Sequence, residues 1–171
     1  MTITGGEPTY QKGLEMFLYH ASQLGFKIKL DTNGLRPDIL ANCLWAKTVR
    51  YVAMDIKTDP DRYDQNALFE GRKRDNIVDR IKASIHALAH SSISHEYRTS
   101  AIPEICTKED FLKIAEHINM CYEHTSNIPD WYIQTVRPTP YNEFSLYKNT
   151  ELDAIAAECQ NSYPRLKVIR R

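Results

Sequence analysis

The 171-residue sequence has no excess charge of either sign, since 22 Lys plus Arg stand against 22 Asp plus Glu. That balance argues against a nucleic-acid module, which binds chiefly through surplus positive charge. No apolar run approaches the roughly 20 residues that span a bilayer, and the N-terminus lacks the basic, apolar and small-residue order of a signal peptide. A cytoplasmic location without a membrane partner is expected. Cysteine is sparse and scattered: Cys43, Cys106, Cys121 and Cys159 include no C-x-x-C pair and no compact Cys/His cluster. Neither a disulfide framework nor a zinc site is expected, and the thiols are read as reduced and buried. There is no nucleophile-elbow motif to support a Ser-His-Asp triad.

What is present is alternation. Met1 to Thr4 reads as a strand entering Gly5-Gly6, and Pro8 with Leu14, Phe17, Leu18, Ala21 and Leu24 gives a helix that Gly25 stops. Phe26 to Leu30 is a second strand, with Asp31-Thr32-Asn33-Gly34 as its turn. Pro37 opens a helix through Leu44, Val49 to Ile56 is a strand, and Thr58 to Arg74 is a long polar loop. A helix from Ile77 to Leu88, a strand from Glu96 to Ile102, a helix opened by the near capping box Thr107 to Asp110, and a strand from Trp131 to Val136 follow. After a Pro138-Thr139-Pro140 linker, Thr150 caps a last helix, Leu166 to Ile169 is a terminal strand, and Arg170-Arg171 is a basic tail that frays. The order predicts one α/β domain over residues 1–171, a parallel sheet with helices outside.

In such sheets the ligand site lies at the carboxyl ends of the strands. That rule selects Gly5, Gly6 and Glu7, then Asp31 and Thr32, then Asp55 and Lys57, then Arg98. Adjacent glycines leave backbone open to a ligand, and Glu7 adds a carboxylate, so an ammonium group could be received there; the plain alternative is a turn with an exposed acid. The loop is no phosphate cradle, which needs more glycines and a lysine. Asp31 and Asp55, on successive strands, call for a cation or ligand ammonium between them, unless Asp31 only caps its turn. Lys57 shares the side-chain parity of Asp55 and neutralises it or meets a ligand hydroxyl. Arg98 needs an acid or an anionic ligand. His86 and His90 have helical spacing but no further ligand, so they are read as a solvated helix face, and His95, His117 and His124 are treated alike.

Four blocks in order, Thr2-Ile3-Thr4-Gly5-Gly6-Glu7-Pro8-Thr9, Lys29-Leu30-Asp31-Thr32-Asn33-Gly34, Val52-Ala53-Met54-Asp55-Ile56-Lys57 and Glu96-Tyr97-Arg98-Thr99-Ser100, carry a resemblance. They resemble the radical S-adenosylmethionine enzymes, specifically the activating protein of anaerobic ribonucleoside-triphosphate reductase. The resemblance implies a partial parallel (βα) barrel, S-adenosylmethionine and a 4Fe-4S cluster as cofactors, and formation of a glycyl radical on the partner reductase. An electron donor such as flavodoxin or ferredoxin is implied with it. Gly5, Gly6 and Glu7 would hold the methionyl amino group, Asp31, Thr32 and Asp55 would shape the methionyl end, and Lys57 and Arg98 would meet the ribose or carboxylate. No catalytic or metal-ligating side chain is assigned.

One departure stands out. The family's cluster hangs from a C-x3-C-x2-C loop after the first barrel strand, and none of the four cysteines reproduces that spacing. The expectation is therefore a barrel lacking its first strand and cluster loop, catalytically incompetent alone, with an exposed edge prone to pairing. A pyruvate formate-lyase activase, a 7-deazaguanine-forming radical enzyme and a non-catalytic S-adenosylmethionine-binding or protein-binding module are the alternatives.

Overall fold

The computed structural model describes residues 1–65, 76–137 and 144–171. Strands β1 (Thr2–Ile3), β2 (Lys29–Thr32), β3 (Tyr51–Asp55), β4 (Ser94–Ala101), β5 (Asp130–Thr135) and β6 (Lys167–Arg170) alternate with helices α1 (Leu14–Gln23), α2 (Pro37–Trp45), α3 (Ile77–Ala89), α4 (Lys108–Cys121) and α5 (Asn149–Ser162). The strands lie side by side in chain order, every neighbouring pair parallel. The order never reverses, so the sheet winds one way, as in a barrel, instead of doubly. β1 and β6 are its edges. Each helix packs beside the next, α1 on α2 through α4 on α5, as one outer layer. No helix among the described residues is long and apolar enough to cross a membrane.

Local signals account for the elements. Pro37 occupies the first turn of α2, and Gly25, at φ +85°, ends α1 one residue past its cap. Thr107 and Asp110 form a reciprocal capping box at the start of α4: Thr107 N donates to Asp110 Oδ2 at 2.7 Å, and Asp110 N donates to Thr107 Oγ1 at 3.3 Å. The core lies between sheet and helices. Leu30, Val52, Met54, Tyr97, Trp131 and Ile133 from the strands meet Leu18, Leu40, Ile81, Ile85, Ile114 and Ile118 from the helices. Complete burial of such a side chain stabilises by about 1.5–3 kcal/mol.

Several expectations shift. Asp31 and Thr32 are the last residues of β2 and not part of its turn. Phe17 and Leu24 are exposed, because α1 has a helical neighbour on the α2 side only. Thr150 lies inside the first turn of α5, whose cap is Lys148, with Lys148 N donating to Glu151 Oε2 at 2.7 Å. Arg171 is paired and not frayed: its N donates to Ile133 O and its carbonyl accepts from Thr135 N, both at 2.9 Å. The polar loop begins with a short 3-10 turn, Pro60–Gln65. The rest of that loop up to residue 74, apart from residues 58–65, and the Pro138-Thr139-Pro140 linker lie outside the described residues.

Candidate cofactor-binding site

The two faces of the sheet differ in chemistry. Period-2 alternation and the strand register place Lys29 and Asp31 of β2, Tyr51 and Asp55 of β3, Glu96, Arg98 and Ser100 of β4, and Tyr132 and Gln134 of β5 on the face away from the helices. Apart from the buried Glu96 these residues are half-buried, whereas the alternate positions, the exposed Thr135 at the end of β5 excepted, are buried. Parallel sheets ordinarily bury both faces under apolar cover. A face rich in charge is therefore the candidate ligand surface.

Arg98 is opposite Asp55 in the β3–β4 register and donates through Nε to Asp55 Oδ1 at 2.9 Å. Its Nη1 reaches Asp31 Oδ2 at 3.4 Å, so the guanidinium bridges the two aspartates. The cation wanted between Asp31 and Asp55 is thus supplied by the chain itself. Burial disfavours the charged guanidinium, but the two carboxylates outweigh that and raise its pKa. Lys57 Nζ donates to Asp55 Oδ2 at 2.7 Å, and the backbone N–H of Lys57 donates to the Tyr63 hydroxyl at 2.6 Å. Both cations keep unused donors, since Arg carries five N–H groups and Lys three. Asp31 Oδ1 is buried without a hydrogen bond, its nearest cation being Lys29 Nζ at 3.5 Å.

Glu7 is not an exposed acid. Its Oε1 accepts from Thr9 N at 3.1 Å, Thr9 Oγ1 at 2.6 Å and Thr32 Oγ1 at 2.8 Å, while Oε2 accepts from Asn33 N at 2.6 Å. The carboxylate therefore pins the glycine loop to the end of β2, and Oε2 retains capacity for one further donor. Gly5 and Gly6 have φ of +96° and +55°, with open space where side chains would be. Thr32 is buried and points away from the polar face, acting through Glu7 and by accepting from Gly34 N at 3.1 Å.

Sequence reasoning overlooked part of this face. Tyr51 donates its hydroxyl to Glu96 Oε2 at 2.8 Å, and Lys29 Nζ lies 3.5 Å from Glu96 Oε1. Burial, then Glu96, pushes the Tyr51 hydroxyl pKa up. The same period-2 spacing that selects Asp55 and Arg98 would have found them. Of the histidines, His86 and His90 are exposed and stacked, with ring centroids 4.0 Å apart, as expected. His95 is buried and His117 faces two aspartates, against the expectation of solvated rings.

The cysteines do not fit an iron-sulfur cluster. Cys43, Cys106 and Cys159 are buried, and Cys121 is half-buried. Burial raises every thiol, that of Cys43 to about 11 and that of Cys159 to about 12, so none is a ready thiolate. The S-adenosylmethionine side fits better: open glycines, an orphaned carboxylate oxygen and cations with spare donors share one end of the sheet.

No family model matches the chain. A Methanocaldococcus jannaschii protein provisionally named a glycyl-radical enzyme activating enzyme is 33% identical over 125 residues, which is 71% of this chain and 50% of that protein. Streptococcus suis SuiB bound to S-adenosylmethionine aligns over 99% of this chain and 39% of its own, with TM-score 0.71 and 14% identity. A radical SAM methyltransferase from Sphaerobacter thermophilus aligns over 99% of this chain and 50% of its own, with TM-score 0.69 and 14% identity. The fold is that of the radical SAM enzymes. The chain spans half the length of the M. jannaschii relative, and its radical SAM fold corresponds to half or less of the two solved chains.

Proposed function

We propose that this chain is the S-adenosylmethionine-holding part of a cytoplasmic glycyl-radical activase whose partner is an anaerobic ribonucleoside-triphosphate reductase. The observation that carries the reading is the polar end of the sheet, where Arg98 joins Asp31 to Asp55 on one face and Glu7 pins the glycine loop to the end of β2. An amino acid zwitterion with an attached nucleoside suits such a surface. The Gly5 and Gly6 backbone and Glu7 Oε2 receive the amino group, Asp31 and Asp55 shape that end while Thr32 holds Glu7 in place from behind, and spare donors of Arg98 and Lys57 take the carboxylate or ribose hydroxyls. The identity to a glycyl-radical activating relative supports the reaction class, and the four sequence blocks support the reductase as partner.

The resemblance implies a 4Fe-4S cluster, which would supply the electron for S-adenosylmethionine cleavage, with a flavodoxin or ferredoxin as its reductant. The cysteines of this chain do not fit that cluster, so the chain by itself holds S-adenosylmethionine without cleaving it. The same misfit favours a second reading, a non-catalytic binding module. The two separate on one experiment. An activase's three-cysteine loop is fused ahead of Met1, the product is reconstituted with iron and sulfide, and it is mixed with reductase, reductant and S-adenosylmethionine. The activase reading expects 5'-deoxyadenosine and a glycyl-radical EPR doublet from the fusion and neither from the unfused chain. A correctly folded, cluster-loaded fusion that yields neither supports the module, and 5'-deoxyadenosine from the unfused chain overturns the account of its cysteines.

A further inference from the structure

The segment that leaves β3 meets α4 through three metal-ligating side chains away from the polar face. Asp59 precedes the Pro60–Gln65 turn, Asp61 lies within it, and His117 projects from α4. His117 Nε2 is 2.9 Å from Asp61 Oδ2 and 3.8 Å from Asp59 Oδ1, and the three ligand atoms lie within 4.8 Å of one another. An ion bound about 2.0–2.2 Å from each ligand separates its ligand atoms by roughly 3–3.5 Å. The cluster therefore needs only small adjustment to close on one ion. We propose that Asp59, Asp61 and His117 form a divalent-metal site that staples the turn after β3 to α4.

The independent sign is the burial of Asp59. Its side chain is 9% exposed; its Oδ1 accepts from Asp61 N at 3.0 Å, and among the described residues no lysine or arginine pairs with it, the His117 imidazole lying 3.8 Å away. A buried carboxylate without a full opposite charge is costly, and a metal ion would remove that cost. Asp61 is already oriented for the task. Lys82 holds its Oδ1, leaving Oδ2 turned towards His117. Of the other charged groups described at this contact, Arg62 pairs with Asp110 at 3.0 Å, and Lys113 pairs with Glu116 at 2.7 Å while still feeling the Asp59 charge. Two carboxylates and an imidazole, with no thiolate, suit Mn2+, Fe2+ or Zn2+. Because Tyr63 of the same turn accepts the Lys57 N–H, a stapled turn would also steady the strand end that carries Asp55.

The test uses the chelator-treated chain in a His86→Gln/His90→Gln background, which removes the exposed histidine pair as a competing zinc ligand. Mn2+ is followed by loss of the free-ion EPR signal and Zn2+ by calorimetry. One saturable site per chain is expected, weakened at least about tenfold by Asp59→Asn and by His117→Gln and retained in Lys82→Met. Asp59 is buried and its variant could unfold; His117 is half-buried and close in size to glutamine, so His117→Gln, checked for folding by circular dichroism, then decides alone. Absence of saturable binding of either ion, or affinity unchanged by His117→Gln, overturns the proposal.

Discussion

Arg98 and Asp55 face each other across the β3–β4 register and are joined by an Nε–H···Oδ1 bond of 2.9 Å. Both side chains are largely shielded, with 17% and 28% exposure, so the pair is worth more than a surface ion pair and less than one fully desolvated. Replacing Arg98 by Met leaves Asp31 and Asp55 without the bridge. We expect a loss of about 2 kcal/mol in urea unfolding, partly restored by adding Asp55→Asn. Equal stability of wild type and Arg98→Met would show that the bridge contributes nothing.

Glu7 links the glycine loop to the end of β2 through four donors. Glu7→Ala should cost about 2–4 kcal/mol, because hydrogen bonds to a charged acceptor are stronger than neutral ones and several donors lose their partner at once. Glu7→Gln should cost less, since one carbonyl oxygen remains to accept. Chemical denaturation of both variants checks the order.

Gly34 and Gly25 separate two causes of glycine dependence. Both have positive φ, +73° and +85°, but a methyl at Gly34 would collide with Met54 Cε and lie 3.0 Å from its sulfur, whereas Gly25 opens onto free space. Gly25→Ala should cost about 1 kcal/mol, the left-handed backbone penalty alone. Gly34→Ala should cost about 1–3 kcal/mol more from overpacking, measured as the difference between the two unfolding midpoints at constant m.

His95 is buried, and its pKa is lowered by desolvation. Its Nδ1–H donates to Ile93 O at 2.7 Å, which leaves Nε2 to accept from Tyr122, while the Tyr97 hydroxyl lies 2.9 Å from that of Tyr122. The unfolded chain thus binds a proton at higher pH than the folded one. The neutral ring's contribution is full above an unfolded pKa of about 6.5 and is lost as pH falls below it towards the lowered folded pKa, by up to about 1.4 kcal/mol per pH unit. Unfolding free energies at pH 7.5 and 5.5 should differ more for wild type than for His95→Gln. Equal differences would show that His95 does not titrate on unfolding.

The sequence showed the order of elements because three of the helices carry their own punctuation: Gly25 after α1, Pro37 in α2, and Thr107 with Asp110 in α4. Asp55, Lys57 and Arg98 could be placed at one end of the sheet because parallel strands share that polarity. What Glu7 does could not be read, since its partners Thr32 and Asn33 are 25 and 26 residues away and meet it only once β1 pairs with β2. The identity of the cation between Asp31 and Asp55 depends likewise on the β3–β4 register, which sets Arg98 opposite Asp55. The edge of the helix layer also hides from periodicity: Phe17 and Leu24 have core spacing along α1, yet no second helix covers them.

The most direct test of the central claim is calorimetric titration of the chain with S-adenosylmethionine. The account predicts saturable one-to-one binding, weak because no cluster chelates the ligand, and lowered further by Arg98→Met. Binding left unchanged in that variant, or none detectable to a wild-type chain shown to be folded, would contradict it.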